Sequence, residues 1–122
     1  MKKHKILVVD DEENIRLLYK LDLEDEGYEV EVAESGEAAL EKLKSFSPDV
    51  ITLDIKMPGM SGIETLHEIK TRFADRNIPV ILCTAFEEFK QDFSTWASEA
   101  YITKSHDLTE LKETIKRLLE KA

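Results

Sequence analysis

Two aspartates stand side by side in "VVDDEE", Asp10 and Asp11, and a third, Asp54, lies in "ITLDIKMPG". Thr84 in "VILCTAF" and Lys104 in "AYITKS" share their setting: each closes a short apolar run. Carboxylates gathered in one cleft cannot all stay ionised without a counter-charge, or one of their pKa values must rise. Lys104 supplies one positive charge. A hard divalent cation would supply the rest, and an all-oxygen donor set suits Mg²⁺, which keeps several waters and accepts a phosphate oxygen. Such a group, with a lysine and a hydroxyl beside it, suits phosphoryl transfer. Metal and lysine neutralise the phosphoryl oxygens, and one carboxylate serves as the nucleophile.

That chemistry requires a fold that brings distant positions together. Ile6–Val9, Val50–Leu53 and Val80–Cys83 are too short for helices and rich in β-branched residues, so each reads as a strand buried on both faces. "YEVEVA" (28–33) alternates polar and apolar, and "AYIT" (100–103) is short; these two are the expected sheet edges. Between the strands lie helical patterns. Residues 12–26 carry Ile15, Leu18, Tyr19 and Leu23, interrupted by Asp22 and closed by Gly27. Ser35 caps a second helix with Leu40, Leu43 and Phe46, and "SGIE" (61–64) is a capping box opening a third with Ile63, Leu66, Ile69 and Phe73. A fourth is expected near 87–97, with Phe89, Phe93 and Trp96, and "DLTE" (107–110) opens a fifth with Leu108, Leu111, Ile115 and Leu118 inward. This alternation predicts an α/β fold, a doubly wound, five-stranded parallel sheet of order 2-1-3-4-5 in a flavodoxin-like arrangement, with helices on both faces. All strand C-termini then share one edge, and Asp10, Asp11, Asp54, Thr84 and Lys104 converge there, beside the switch point between strands one and three. Glu12 and Glu13 read as acids favoured at a helix start.

Composition narrows the classes further. The chain of 122 residues is 42% hydrophobic, enough for one core, and residues 1–122 read as one domain with no effector domain appended. A net charge of −9, from 26 acids against 17 bases, is a poor match for nucleic acid. No stretch approaches the roughly 18 apolar residues of a membrane span, and the basic start lacks a signal-peptide core, so a cytoplasmic protein with no membrane partner is expected. The single cysteine, Cys83, forms no internal disulfide and reads as a buried small residue, and His4, His67 and His106 are scattered. No "GxxxxGK" loop is present, which excludes a P-loop nucleotide hydrolase.

"VVDDE", "LDIKMPGMSG", the "TA" after strand four and the lysine after strand five, at their spacing, resemble the receiver domain of two-component response regulators over essentially the whole chain. The resemblance implies that Asp54 accepts a phosphoryl group from a sensor histidine kinase phosphohistidine or a small donor such as acetyl phosphate. It implies that Asp11, Asp54 and the backbone carbonyl of Lys56 ligate Mg²⁺, with Asp10 holding metal-bound water. Thr84 and Lys104 would bind phosphate oxygens, and Tyr101 would swing inward as the Thr84 hydroxyl moves. The output face would be the fourth helix, fifth strand and fifth helix, addressed to a downstream target protein or to a histidine phosphotransfer protein in a phosphorelay. No enzyme activity beyond self-phosphorylation and dephosphorylation follows from it. The chain departs from the family at "KSHD", where proline and an aromatic usually follow the lysine, and at Ala97-Ser98, where a "GA" pair is usual. A cis bond to Ser105 would cost about 2.5–4 kcal/mol, so the choice is a trans bond with a shifted loop or a strained cis bond held by the site. Phe86 and Lys56 occupy the positions that adjust access of the attacking water.

Three rivals share parts of this pattern. A flavin carrier on the same topology needs a hydroxyl- and glycine-rich cradle after strand one, where "DDEEN" would repel phosphate. A haloacid-dehalogenase-type phosphatase needs a second aspartate two residues past the nucleophile, where Lys56 stands. A phosphate-independent adaptor on the receiver fold is opposed by the complete acidic set with Lys104.

Overall fold

The computed structural model describes residues 3–85, 98–104 and 107–120. Five strands, β1 (Lys5–Val9), β2 (Glu29–Ala33), β3 (Val50–Leu53), β4 (Val80–Thr84) and β5 (Ala100–Thr103), form one parallel sheet in the order β2-β1-β3-β4-β5. The central strands β3 and β4 are buried at every residue, while the edges β2 and β5 are only partly covered, matching their sequence patterns. Four helices are described: α1 (Glu13–Asp25), α2 (Gly36–Lys42), α3 (Gly62–Arg72) and α4 (Thr109–Glu120). α4 is the fifth helix of the sequence pattern. The expected helix at 87–97, with Phe89, Phe93 and Trp96, lies outside the described residues, as do Phe86, Ala97, Ser105 and His106. None of the described helices is long and apolar enough to cross a membrane.

Two apolar clusters occupy the two faces of the sheet, as the double winding requires. Leu7, Val9, Ile51, Leu53, Val80 and Leu82 point to the side covered by α2 and α3. Ile6, Val8, Val50, Ile81, Cys83 and Ile102 point to the side covered by α1 and α4.

Local chemistry sets the helix ends. Gly27, at φ 99°, follows α1; its N–H donates to the Glu24 carbonyl at 3.0 Å and the Tyr28 N–H to that of Leu23 at 3.3 Å, a Schellman ending. Ser35 Oγ accepts from Ala38 N–H at 3.0 Å, and Ser61 and Glu64 form the reciprocal capping box expected from "SGIE". Two expectations shift and one holds. α2 ends at Lys42, leaving Phe46 in the turn beyond, half-buried against the core. α4 is described from Thr109, and Asp107 caps its start as "DLTE" suggests, its Oδ1 accepting from the Thr109 N–H and hydroxyl. In α1 the buried residues are Tyr19 and Leu23, with Ile15 packed against the same cluster, and this stripe leaves Leu18 exposed at its border, while Asp22 pairs with Lys112 of α4 at 2.9 Å.

Candidate functional site

The sheet register carries the strand-end residues to one place. Val9 pairs with Leu53, so Asp10 and Asp54 follow side by side. Each prolongs the ladder by one step: Asp10 N–H donates to Ala33 carbonyl at 3.1 Å and Asp54 N–H to Val9 carbonyl at 3.0 Å. On the far side Thr84 pairs with Thr103, and Lys104 N–H donates to Thr84 carbonyl at 2.7 Å. Lys104 then reaches back across the edge. Its Nζ lies 2.6 Å from Asp10 Oδ2 and 3.2 Å from Asp54 Oδ2.

Both aspartates are deeply buried, 3% exposed for Asp10 and 5% for Asp54. Burial pushes the Asp54 carboxyl up to about 6; Lys104 pulls it down, and the neighbouring Asp10 charge raises it again. Burial opposes the charge on Lys104, yet its hydrogen bond to Asp10 and the attraction of Asp54 prevail and hold its pKa above the usual lysine value. The cation is therefore fixed, and Asp54 is a carboxylate whose charge is only partly compensated. Cys83, buried behind the site, has its thiol pushed up to about 12 by burial, with Asp54 and Asp10 adding to the rise against Lys104, so it stays protonated.

Asp11 is exposed at the mouth, and carboxylate oxygens of Asp10, Asp11 and Glu12 can all lie within 4.8 Å of one another. Lys56, two residues past Asp54, is exposed in the loop. Thr84 is fully buried at the end of β4. Tyr101, in register with Leu82, is half-buried against the cluster of Leu53, Ile55 and Leu66. Asp10, Asp54 and Lys104 are thus joined directly, Asp11 borders them, and Thr84 is tied to Lys104 through the backbone.

Other residues at this edge carry no signal that a search for chemistry would select. Gly62 opens α3, and its N–H donates to Ile55 carbonyl at 2.7 Å. A Cβ there would sit 1.9 Å from the Asp54 carbonyl oxygen, so only glycine lets α3 start this close to the acceptor strand. In the sequence it is merely the second letter of the capping box. Glu12 contributes its backbone as well, donating N–H to Asp10 Oδ1 at 2.9 Å. Arg16 Nη1 donates to the Asp10 carbonyl at 2.8 Å.

A buried lysine-bridged aspartate pair, with further acids at the rim and oxygen-only donors, can hold a hard cation and present one carboxylate to an electrophile. Known proteins carry the same arrangement of elements. The chain is 36% identical over 121 residues to sporulation initiation phosphotransferase F of Bacillus subtilis, covering 98% of this chain and 96% of the relative. It is 48% identical to the response regulator TrrA of Thermotoga maritima, solved in complex with Mg²⁺-BeF, with a TM-score of 0.90 over 95% of this chain and 99% of that one. TrrA bound to the histidine kinase ThkA matches at the same identity with a TM-score of 0.87, over 95% and 98% of the two chains. Some relatives are much longer: the chain spans 25% of the regulatory protein AtoC of Escherichia coli. The family model described as the response regulator receiver domain matches residues 6–116. With Asp10, Asp54 and Lys104 joined at the carboxyl edge of a 2-1-3-4-5 sheet, the chain belongs to the response regulator receiver domain family.

Proposed function

We propose that this chain accepts a phosphoryl group on Asp54, with Mg²⁺, from the phosphohistidine of a sensor histidine kinase. The observation that carries the reading is the Lys104 ammonium bridging buried Asp10 and Asp54 at one sheet edge. In the transfer, an Asp54 carboxylate oxygen forms the new P–O bond while the P–N bond to the kinase imidazole breaks. Lys104, already oriented by Asp10, moves its ammonium onto a phosphoryl oxygen as Asp54 becomes an acyl phosphate. The Thr84 hydroxyl takes a second phosphoryl oxygen.

The donor set fits the cation. Asp10, Asp11 and Asp54 bring three carboxylates against the single charge of Lys104, and Asp54, raised first by burial and then by the neighbouring Asp10 charge, gains from a further cation. Asp11, Asp54 and the Lys56 carbonyl would hold Mg²⁺, with Asp10 binding one of its waters. When bound, the ion supplies charge neutralisation at the phosphoryl oxygens. TrrA, at 48% identity, is described with Mg²⁺-BeF and with a kinase, which supports both the cation and the donor.

The donor must approach over the rim. The helix α1 exposes Leu17 at 54%, Leu18 at 39% and Leu21 at 59%, and a hollow lined by Ile55, Lys56, Met57, Pro58, Ser61 and Ile63 follows the acceptor. An apolar border of this kind suits a protein partner rather than a nucleic acid. Phosphorylation would be read out by a target or phosphotransfer protein at a face that includes β5 and α4, with Tyr101 following Thr84. A cytoplasmic setting, and no catalysis beyond the chain's own phosphorylation and dephosphorylation, complete the reading.

Intact mass after incubation with acetyl phosphate, with and without Mg²⁺, tests it beside Asp54→Asn. The expected result is a Mg²⁺-dependent gain of one phosphoryl group that the variant lacks. A folded, Mg²⁺-binding chain that gains nothing would instead be a phosphate-independent adaptor.

A further inference from the structure

Arg16 is out of place by ordinary helix electrostatics. It lies at the start of α1, where the helix dipole favours acids and disfavours cations. Asp10, Asp11, Glu12 and Glu13 precede it, yet among the described residues Arg16 forms no ion pair. Its Nη1 goes to the backbone carbonyl of Asp10 at 2.8 Å. That bond completes the restraint of Asp10. The N–H is given to Ala33, Oδ1 receives the Glu12 N–H, Oδ2 receives Lys104, and the carbonyl receives Arg16.

The Asp10 carbonyl belongs to the peptide joining Asp10 to Asp11. Holding that oxygen fixes the peptide plane from which Asp11 departs, and Asp11 is exposed, with no other restraint on its direction among the bonds described at the site. We propose that Arg16 is a positioning residue: its hydrogen bond to the Asp10 carbonyl aims the Asp11 carboxylate at the Mg²⁺ site. The inference rests on the reading that Asp11 helps to hold the cation.

Two roles for Arg16 predict opposite signs. If Arg16 acted only through its charge, removing it would tighten Mg²⁺ binding, because a cation near the site repels another. If it positions Asp11, removing it weakens binding, as loss of a group that orients a metal ligand does, by roughly tenfold or more. Arg16→Met keeps the apolar stem and deletes the donor; Arg16→Lys restores a donor of shorter reach.

The experiment is calorimetric titration of Mg²⁺ into the metal-free wild-type chain and both variants, followed by acetyl phosphate kinetics across Mg²⁺ concentrations. Arg16→Met is expected to raise the Mg²⁺ Kd roughly tenfold, with Arg16→Lys recovering most of the loss. Its phosphorylation rate should return to the wild-type value at saturating Mg²⁺, which a general structural defect would not allow. Equal or tighter Mg²⁺ binding by Arg16→Met overturns the proposal, as does a rate that excess Mg²⁺ leaves depressed. A wild-type chain that fails to bind Mg²⁺ overturns the functional reading instead. Should Arg16→Met not fold, the wild-type Arg16 side-chain N–H resonance decides. Protection from solvent exchange with and without Mg²⁺ supports the bond, and exchange at the rate of a free arginine removes it.

Discussion

Asp54 is a carboxylate held where its charge is costly, and this gives it a pH signature. Its pKa is raised from the ordinary value of 3.8 to about 6, with burial as the first cause. The folded chain thus binds this proton more tightly than the unfolded chain does. The associated stability is present at low pH and is lost as pH rises through about 6. Two units correspond to roughly 3 kcal/mol at most, since one unit is about 1.36 kcal/mol. Asp54→Asn removes the charge and leaves Lys104 paired with Asp10 at 2.6 Å. In a metal-free buffer near pH 7.5, urea denaturation should show the variant about 1–3 kcal/mol more stable than wild type, the gap closing toward pH 4. A variant no more stable at pH 7.5 would mean that Lys104 compensates Asp54 fully. Mg²⁺ should lower the same pKa, because a bound cation favours the anion. Its affinity is accordingly expected to fall as pH drops through about 6, and calorimetry at pH 5 and 7.5 checks that order.

At the scale of elements, the site depends on how closely α3 abuts β3. Gly62 is the point of contact, and a Cβ placed there would meet the Asp54 carbonyl oxygen, carbonyl carbon and Ile55 Cα at 1.9, 2.7 and 2.7 Å. All three are backbone atoms, so no side chain can turn aside. Gly62→Ala should destabilise the fold by more than about 2 kcal/mol and slow phosphorylation, because α3 must withdraw and take the acceptor loop with it. Unchanged stability by thermal melting would show that the helix start relaxes freely. By contrast, Gly27→Ala meets nothing within 4 Å; its cost comes from φ 99° alone and should stay near 1 kcal/mol with phosphorylation unaffected. This contrast marks what sequence can disclose. The strand runs, the sheet order, the caps at Ser35 and Ser61 and the convergence of Asp10, Asp54 and Lys104 follow from patterns with a period and a direction, so they are legible. Gly62 and Arg16 are not, because each answers to backbone atoms, Gly62 to those of Asp54 and Ile55 and Arg16 to the Asp10 carbonyl, and a backbone partner leaves no mark in the sequence. Leu18 misleads because its spacing is helical, but the stripe that meets the sheet runs through Ile15, Tyr19 and Leu23 and leaves Leu18 at its exposed border. Phe46 misleads because a buried residue after a helix continues the apolar spacing of the helix itself.

The whole molecule carries a net charge of −9, and its acids are not evenly spent. Away from the site they are widely paired: Lys70 with Glu99 at 3.0 Å, Lys42 with Glu31 at 3.0 Å, and Lys112 with Asp22 at 2.9 Å, the last joining α4 to α1. Glu99 also receives the Val80 N–H at 2.7 Å, so its pair fastens the start of β4 as well as α3. At the carboxyl edge one lysine faces Asp10 and Asp54, with Asp11 and Glu12 at the rim. Positive charge supplied there should stabilise the entire fold, because a cation that binds only the native state adds RT ln(1 + [L]/Kd), about 2.7 kcal/mol at a hundredfold excess over Kd. For a domain of this size that corresponds to a rise in melting temperature of roughly 5–15 °C. General screening of a −9 chain would also raise it, so the comparison must be made against NaCl at matched ionic strength. The expected outcome is a saturable Mg²⁺-specific rise in wild type that is largely lost in Asp11→Asn, with both chains responding alike to NaCl. An equal Mg²⁺-dependent rise in the variant would place the stabilising cations on the general surface, and would remove Asp11 from the metal site.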